Sequence, residues 1–322
     1  MSEELLRWGI LGCGRITKRG LIPGIKDSSS GTLAALASRD GDTARSWSRE
    51  FAVPRAHGSY EELINDPGID AVYVPLPNEL HKHWVMAAAD AGKHVLCEKP
   101  LALDVGEARE MVAHCEKRGV VLMEAFMWRH QPRTKALLEQ VAEGAIGELR
   151  LVRASFSFTI DPGDWRLDIA RGGGALWDVG CYGVSTARLF AGEEPEKVRS
   201  IARFGETRVD LSLTAELKFP SGVIGLIDCS FEQQFRCSYE LVGTKGSIEV
   251  PLAYLPPESG STARVAKGEQ SRALFFEGRN QYAGMVDAFA EGVRGGGLKK
   301  PAENGLAQMI VLEDVLLAAR AG

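Results

Sequence analysis

The residues best suited to chemistry lie in one glycine-rich stretch, GGGALWDVGCYG at residues 172–183. Asp178 and Tyr182 are four residues apart, so in an α-helix the carboxylate and the phenol would lie on one face, one turn from each other. The glycines at 172–174 predict a backbone that approaches something bulky just before this helix starts. The stretch indicates a site but does not by itself identify a reaction.

A lysine stands in a second stretch that favours ligand binding, Glu98-Lys99-Pro100. It directly follows a short apolar run, His94 to Cys97, which predicts a buried strand. In parallel sheets, ligands bind outside the carboxyl ends of the strands, which is where this loop would lie. Taken alone, the three residues are better explained as a charge pair on a surface loop.

The first strand and the first helix are joined by a glycine turn typical of dinucleotide binding. A buried strand is predicted over Arg7 to Leu11, and a helix runs from the turn toward Lys26. Between them, Gly12 permits a tight turn, and Gly14 lets a pyrophosphate approach the helix N-terminus, whose N–H groups and dipole favour anions. Thr17 stands where the full fingerprint has a third Gly or Ala, a departure expected to loosen the packing of helix on strand.

The end of the next strand, Thr32 to Asp40, bears on the choice of dinucleotide. NAD sites usually place Asp or Glu there to accept hydrogen bonds from the ribose hydroxyls. This chain has Ser38 and Arg39, a hydroxyl and a planar cation that suit a 2′-phosphate, and NADP is therefore predicted. In the alternative, Arg39 is a solvated charge and Asp40 holds the ribose.

Five apolar strands with helical segments between them predict a doubly wound parallel sheet that is covered on both faces. The remaining strands are expected over Asp70 to Asn78 and Val120 to Glu124. Helical segments are expected after Asp40 through Phe51, over Leu80 to Ala91 and over about Asp104 to Arg118. The first domain is placed at residues 1–123.

A different pattern begins near Gly147 and belongs to a second, α+β domain at residues 124–322. Alternating residues at 148–158 indicate a strand with one wet face. Two hairpins are predicted, which turn at Pro220 to Gly222 and at Thr244 to Gly246. Together they predict a largely antiparallel open sheet with helices such as Gly174 to Ala191 on one face. The remaining expectations are a mobile loop over the polar stretch 258–271 and closing helices over Tyr282 to Val293 and Asn304 to Arg320.

Composition limits the class of protein. The chain has 322 residues, of which 45% are hydrophobic and 25% charged, as in soluble globular proteins of two domains. A formal charge of −5 without a Lys/Arg-rich run argues against an electrostatic grip on nucleic acid. The six cysteines are scattered, the start is unlike a signal peptide, and no apolar run approaches about 20 residues. A cytoplasmic protein with reduced thiols and no membrane span is expected.

The order of these motifs along the chain resembles the glucose-fructose oxidoreductase/inositol dehydrogenase/MocA family. The glycine turn is followed by PLPNELH, EKP, EAFMWRHQP and GGGALWDVGCY, and the resemblance covers essentially the whole chain. It implies a Rossmann domain that binds a nicotinamide dinucleotide, followed by an α+β domain with a largely antiparallel open sheet. In the family that sheet commonly forms the subunit contact, so a homodimer or homotetramer is implied.

The resemblance also implies roles for three residues. Lys99 matches the active-site lysine of the EKP motif, which holds the reacting oxygen of the substrate beside the nicotinamide. Asp178 matches the aspartate that orients the substrate. Four positions later the inositol dehydrogenase branch has His, whereas the glucose-fructose oxidoreductase, dihydrodiol dehydrogenase and sugar 1-dehydrogenase branches have Tyr, as this chain does at Tyr182. The glycines at 172–174 are then expected to give room around the bound ligand.

Elementary acid–base chemistry supports these roles. A free tyrosine has a pKa near 10 and is a poor base at neutral pH, but a nearby ammonium such as that of Lys99 stabilises the phenolate and lowers its pKa. Tyr182 would then accept a proton from a hydroxyl while hydride leaves the same carbon. In the alternative, Asp178 is a helix-start residue favoured by the dipole, and Tyr182 is a core aromatic.

Other residues are candidates with weaker support. Trp128, Arg129, Trp165 and Arg166 could line the substrate pocket, because aromatic faces and forked donors suit sugar rings and phosphates, or could serve ordinary domain packing. The run His81-Lys82-His83 has poor spacing for a metal, and no metal is expected. The residues expected to bind NADP are Gly12, Gly14, Arg15, Ile16, Ser38, Arg39, Leu76, Asn78, His81, Glu98 and Lys99.

The resulting hypothesis is an NADP-dependent oxidoreductase that acts on an aldose or a related cyclic polyol, with Lys99, Asp178 and Tyr182 at the reacting centre. Two other enzymes stay open: a trans-dihydrodiol dehydrogenase, and an oxidoreductase that shuttles hydride between two sugars on tightly held NADP. A regulatory protein that senses NADP without turnover is a further alternative, although a sensor needs no base. No nucleic acid or membrane partner is expected.

Overall fold

The computed structural model describes residues 4–295 and 301–321. Within these ranges the chain divides into two compact units. The first consists of residues 4–130 together with 280–295 and 301–306, and the second of residues 131–279 together with 307–321. The first unit therefore exceeds the domain predicted at 1–123, because a C-terminal segment expected in the second domain returns to it.

The strands of the first unit form one parallel sheet. They are β1 (Leu6–Leu11), β2 (Gly31–Ala37), β3 (Arg55–His57), β4 (Ala71–Val74), β5 (His94–Cys97) and β6 (Leu122–Glu124). Their order is β3-β2-β1-β4-β5-β6, and all neighbours run parallel. The order reverses between β1 and β4, so ligands are expected beyond the carboxyl ends of these strands. The predicted doubly wound sheet is confirmed; β3 was not predicted.

The helices that alternate with these strands are α1 (Ile22–Asp27), α2 (Gly41–Phe51), α3 (Tyr60–Ile64), α4 (His81–Asp90) and α5 (Val105–Lys117). Asp40 and Asp104 cap α2 and α5 by accepting hydrogen bonds from first-turn N–H groups, which a helix start leaves unpaired. The later segment Gln281–Val293 also packs in this unit. Tyr282 of this segment lies close to Gly20: a Cβ on Gly20 would be 2.5 Å from the phenol ring.

The strands of the second unit form a larger sheet. They are β7 (Leu149–Thr159), β8 (Lys197–Phe204), β9 (Asp210–Lys218), β10 (Ile224–Ser230), β11 (Glu232–Gly243), β12 (Ser247–Pro251), β13 (Ser261–Lys267) and β14 (Gln270–Phe276). Their order is β14-β13-β12-β11-β7-β10-β9-β8, and neighbours are antiparallel except for β7 and β10. The predicted largely antiparallel sheet is confirmed, as are the hairpins β9–β10 and β11–β12.

The polar stretch 258–271, expected to be a mobile loop, contains β13 and the start of β14. β13 pairs with β12 on one side and with β14 on the other. Ala263 and Val265 alternate with more exposed residues and are both buried. The loop prediction is wrong because only these small apolar residues mark the buried face among charged and hydroxyl side chains, a weak period-two signal.

The remaining helices are α6 (Pro132–Ala142) and α7 (Cys181–Ala191) in the second unit, α8 (Gln281–Val293) in the first, and α9 (Pro301–Ala321), which begins in the first and ends in the second. α7 lies directly on the sheet: a Cβ on Gly183 would be 2.5 Å from Cγ2 of Ile227 in β10. Glycine therefore permits a close approach of helix to strand. Within the described residues, no helix has the length and apolar composition to cross a membrane.

Candidate active site

The glycine turn after β1 has the form that a dinucleotide site requires. Gly12 has a φ of +113°, in the region that favours glycine. The space beside Gly14 is open: apart from its chain neighbours, no heavy atom of the described residues lies within 4 Å of where a Cβ would be. A pyrophosphate could therefore approach the backbone here. The helix start that follows carries Arg15 and Ile16, both exposed. The turn therefore fits the phosphates of a dinucleotide.

Thr17, in the place of the third glycine, is bonded to the turn. Its side chain is fully buried, and its hydroxyl donates a hydrogen bond to the carbonyl oxygen of Gly12 at 3.1 Å. Residues Thr17–Leu21 form a π-helical turn that leads into α1. The residue that replaces the third glycine is thus hydrogen-bonded to the turn, and looser packing of helix on strand stays a prediction.

At the end of β2, the carboxylate that could hold a ribose is already engaged. Asp40 caps α2 and accepts hydrogen bonds from Thr43 Oγ1 at 2.6 Å and from Asp42 N at 3.0 Å, which lower its pKa. The hydroxyl oxygen of Ser38 accepts a hydrogen bond from the backbone N–H of Asp40 at 3.2 Å. Arg39 is exposed beside it. This arrangement favours a 2′-phosphate over the ribose contact of the Asp40 alternative.

His81, the first residue of α4, joins two of the loops expected to hold the cofactor. Its imidazole is fully buried, with Nε2 2.8 Å from the carbonyl oxygen of Leu76 and Nδ1 3.0 Å from that of Pro100. Burial lowers the pKa of His81, while the hydrogen bonds to the two carbonyl oxygens oppose this shift. Asn78 is also buried, in the turn before α4. In the described part of the chain, no group of three or more His, Cys, Asp or Glu is placed to hold a metal ion.

Buried carboxylates hold the loop that carries Lys99 from both sides. Glu98 accepts hydrogen bonds from Tyr73 OH at 2.5 Å and from the backbone N–H of Lys99 at 3.2 Å. Glu124, at the end of β6, accepts one from the backbone N–H of Leu101 at 3.0 Å. The peptide bond between Lys99 and the following proline is cis. The backbone around Lys99 is thus fixed at the carboxyl ends of β5 and β6, where the topology predicts a ligand.

The tryptophan and arginine that follow β6 lie in the first unit. Trp128 is fully buried. Arg129 donates a hydrogen bond from Nη1 to Oδ1 of Asn304 at 2.7 Å, and its guanidinium lies 5.4 Å from the ring centre of Phe126. The contacts of Arg129 are those of the packing alternative, and a place for either residue in the substrate pocket stays a prediction.

In the second unit, Arg166 binds two carboxylates, one of which is the candidate Asp178. Its Nε and Nη2 lie 3.0 and 2.8 Å from the oxygens of Asp164, and its Nη1 lies 2.6 Å from Oδ2 of Asp178. Burial opposes the charge of the guanidinium, but the hydrogen bonds and charges of the two aspartates outweigh it and raise the pKa of Arg166. Trp165 instead lies under the guanidinium of Arg171, at 5.3 Å. The structure therefore brings Arg166 and Asp178 together.

The glycines at 172–174 make room for the chain itself. A Cβ on Gly173 would be 2.3 Å from the carbonyl oxygen of Arg166, and a Cβ on Gly174 would be 2.3 Å from Oδ1 of Asp210. Room around a ligand stays a prediction for this run. The glycines let the loop fold tightly before the helix that carries the candidate residues.

The turn that contains Asp178 is π-helical, whereas its spacing to Tyr182 predicts a regular α-helix. Residues Leu176–Gly180 form this turn, and the N–H of Cys181 is bonded to the carbonyl oxygen of Leu176. α7 continues it directly, with Tyr182 as its second residue. Such π turns within helices are frequent at functional sites. The turn through Asp178 is therefore wider than the α-helical turn that the spacing predicts.

Tyr182 is packed like a core aromatic. Its ring centre lies 4.8 Å from that of Tyr254 and 5.6 Å from that of Phe156, and the residue is 6% exposed. Thr186 Oγ1 donates a hydrogen bond to the carbonyl oxygen of Tyr182 at 2.8 Å and lies 2.9 Å from the hydroxyl of Tyr254. These contacts fix the plane of the Tyr182 ring, which a positioned base requires as much as a core residue does.

Comparison with known proteins identifies one family for both parts of the chain. The model described as "Oxidoreductase family, NAD-binding Rossmann fold" (GFO_IDH_MocA) matches residues 6–126. The model described as "GFO/IDH/MocA C-terminal domain" matches residues 134–249. The family resemblance drawn from the sequence motifs and the fold expected from it are confirmed.

Similar proteins include enzymes of two substrate classes. D-xylose 1-dehydrogenase (NADP(+)) 2 of Haloferax volcanii is 38% identical over 90% of this chain and 90% of that protein. Trans-1,2-dihydrobenzene-1,2-diol dehydrogenase of Homo sapiens is 38% identical over 82% of this chain and 78% of that protein. The crystal structure of aldose-aldose oxidoreductase from Caulobacter crescentus matches with a TM-score of 0.92 at 31% identity, over 99% of this chain and 98% of that chain. The chain belongs to the GFO/IDH/MocA family of oxidoreductases.

Proposed function

We propose that this chain is an NADP-dependent oxidoreductase that transfers hydride between nicotinamide and an aldose or a related cyclic polyol. The observation that carries the proposal is the 38% identity, over 90% of both chains, to a protein named D-xylose 1-dehydrogenase (NADP(+)). The end of β2 supports the same cofactor, since Arg39 is exposed beside Ser38 while Asp40 is engaged as a helix cap.

The first unit provides the groups that would hold the dinucleotide. Gly12 and Gly14, with the helix start that follows them, would receive the pyrophosphate, because N–H groups at a helix start favour anions. Ser38 and Arg39 would bind the 2′-phosphate through a hydroxyl and a charged fork. When bound, NADP⁺ supplies the hydride acceptor of the reaction.

Three side chains are assigned to the reacting carbon. The Tyr182 phenolate accepts the proton of the substrate hydroxyl and becomes the neutral phenol as hydride leaves the same carbon, a step in which a positioned base typically contributes about 10²- to 10⁴-fold. Lys99 holds the reacting oxygen and favours the phenolate by its charge. Asp178 orients the substrate by accepting a hydrogen bond from another of its hydroxyls, with its own carboxylate held by Arg166 at 2.6 Å.

Two related activities are second candidates. The 38% identity to the human trans-dihydrodiol dehydrogenase favours oxidation of a cyclic diol, which needs the same proton and hydride transfers. The TM-score of 0.92 to an aldose-aldose oxidoreductase favours exchange of hydride between two sugars. The first differs from the main proposal in its substrate. The second differs in its cofactor, because NADP stays bound while one sugar is oxidised and the other is reduced.

A substrate panel tests the proposal. The purified protein is mixed with NADP⁺ or NAD⁺ and with D-xylose, D-glucose, other aldoses or a trans-dihydrodiol, and reduced nicotinamide is followed by its absorbance. We expect NADP⁺ reduction with an aldose, at higher kcat/KM than with NAD⁺. Faster turnover of the dihydrodiol would support the second candidate. Conversion of a sugar pair without added cofactor would support the third, and no turnover in any arm would overturn the proposal.

The outer face of the second unit's sheet supports a homodimer or homotetramer, which we include in the proposal. The hydroxyl of Ser200 in β8 donates a hydrogen bond to the carbonyl oxygen of Val315 in α9, so Ser200 faces the helices. Because neighbouring strand residues point to opposite faces, Ile201 lies on the outer face. Ile201 is 81% exposed. Sedimentation of the parent and of Ile201→Glu tests this contact; a parent that is monomeric at all concentrations contradicts it.

A further inference from the structure

The start of the helix that carries Asp178 and Tyr182 lacks a capping side chain of its own. Ala175 precedes the π-helical turn Leu176–Gly180 and makes no side-chain cap hydrogen bond. The first N–H groups of a helix have no partner within it, and when they are buried they need acceptors from elsewhere.

Asp210, the first residue of β9, supplies an acceptor from 34 positions away in the chain. Its Oδ2 accepts a hydrogen bond from the backbone N–H of Leu176 at 2.6 Å. The residue is 3% exposed. A carboxylate at this point also interacts favourably with the positive end of the helix dipole. A strand of the sheet therefore caps the helix that local sequence leaves uncapped.

The same carboxylate limits where the helix can lie. Its Oδ1 occupies the space that a Cβ on Gly174 would need, at 2.3 Å, and Gly174 has a φ of +130°. Further along, a Cβ on Gly180 would be 2.8 Å from Sγ of Cys229 in β10. Asp210 thus fixes the start of the helix along its axis, while the later glycine contact fixes its distance from the sheet.

We propose that Asp210 is a positioning residue of the active site, which holds the start of the helix that presents Asp178 and Tyr182. It acts through the backbone at residues 174–176 and is not itself a catalytic residue. For its effect on turnover, this inference rests on the proposed function. Its effect on the helix start is independent of that function.

The test compares Asp210→Ala, which removes the acceptor, with Asp210→Asn, which keeps one acceptor oxygen in nearly the same shape. The matched control is Asp228→Ala in β10, an aspartate bonded to Ser155 and Arg236. Amide hydrogen exchange of peptides that cover 174–182 reports on the helix start without any substrate. Steady-state kinetics with the best sugar and NADPH titration report on turnover and on cofactor binding.

We expect Asp210→Ala to raise exchange at 174–182 by about tenfold or more and to lower kcat by about 10- to 100-fold, with NADPH affinity unchanged. Asp210→Asn should lie between Asp210→Ala and the parent, and Asp228→Ala should match the parent. Parental exchange in Asp210→Ala overturns the inference, as does parental kcat in an active enzyme. If Asp210→Ala does not fold, a parental kcat and exchange in Asp210→Asn overturn it. A parent that turns over no sugar or diol defeats the proposed function and leaves the exchange result to decide the capping role.

Discussion

The two regions that carry the candidate catalytic groups hold them by different means. Lys99 lies in a loop whose backbone is hydrogen-bonded to three buried side chains. Glu98 bonds to Lys99 itself, and His81 and Glu124 bond to the next two residues. Tyr182 lies in a helix that packs closely on β10, with aromatic rings beside the phenol. Buried polar side chains thus hold the backbone around the lysine, whereas the ring of the tyrosine is closely packed, on a helix whose start is bonded to Asp210.

This difference predicts how each region responds to substitution. In the lysine loop, removing a buried hydrogen-bond partner leaves a group unpaired, at a cost of about 1–3 kcal/mol. On the helix, added atoms are the greater disturbance, since overpacking costs about 1–3 kcal/mol. Substitutions that preserve volume but delete one reactive group therefore separate chemistry from positioning in both regions.

Lys99→Met gives the largest expected effect. The variant keeps an apolar stem but loses the ammonium, so kcat is expected to fall by about 10³-fold or more while NADP binding stays nearly intact. Initial rates with the best substrate and fluorescence titration of NADPH measure the two quantities. Lys82→Met is the control, because Lys82 is paired with Glu110 on the surface of α4. Near-normal turnover in Lys99→Met would remove the lysine from the mechanism.

Tyr182→Phe tests the closely packed region. The ring and its contacts are kept and only the hydroxyl is lost, so thermal stability should change little. Turnover should fall by about 10²- to 10⁴-fold if the hydroxyl is the base. In the parent, sugar oxidation should rise with pH as the phenol loses its proton, and this limb should vanish in the variant.

Tyr254→Phe is the matched control for that experiment. Its hydroxyl is fully buried and bonded to Thr186, and burial raises its pKa well above the ordinary value. Deleting it should lower the free energy of unfolding by about 1 kcal/mol and leave the pH limb in place. If Tyr182→Phe instead oxidises sugar at the parental rate with the same limb, another group is the base.

Local patterns predicted most of the framework. The strand–turn–helix order after β1, the apolar run of β5 and the turns at 220–222 and 244–246 all depend on neighbouring residues, which the sequence displays directly. β13 escaped prediction because its buried face consists of only Ala263 and Val265. An element was therefore predictable when its apolar residues recurred with a clear period along the chain, and deep burial of a few residues was not enough.

The candidate site was predictable as a set of reactive residues, but the way each is held was not. The hydrogen bonds from Leu101 to Glu124 and from Leu176 to Asp210 join residues 23 and 34 positions apart, and no local pattern marks them. Asp164, which holds Arg166 against Asp178, was likewise not singled out. The stretch EAFMWRHQP did contain Glu124, so the motif held a signal that was assigned no role.

Arg39→Ala has a smaller expected effect and is confined to the cofactor. It should weaken NADP binding by about 1.5–3 kcal/mol, the range for a hydrogen bond to a charged group, and spare NAD binding. Titration of both reduced cofactors measures the difference. Arg45→Ala, on the exposed face of α2 and paired with Asp42, is the control. Equal losses for both cofactors would show that Arg39 does not bind the phosphate.

The smallest expected effect concerns pH and the carboxyl group of Asp210, which bonds to the start of the Tyr182 helix. Burial raises the pKa of Asp210 to about 7, although hydrogen bonds from Leu176 and its neighbours and the charge of Arg320 oppose the shift. The facing thiol of Cys229 has its own pKa raised well above the ordinary value by burial, so it stays neutral over this range.

The raised pKa of Asp210 determines how the stability of the protein changes with pH. Because the folded-state pKa of Asp210 is raised, its contribution to stability is fully present below the ordinary aspartate pKa and is lost as pH rises through about 7. Between pH 5.5 and 8.5 the free energy of unfolding should fall by about 2 kcal/mol, and this component should be absent from Asp210→Asn. Urea unfolding of both proteins at the two pH values measures it. Identical pH dependence in the two proteins would mean that Asp210 does not titrate in this range, and its capping role would then have to be judged from hydrogen exchange alone.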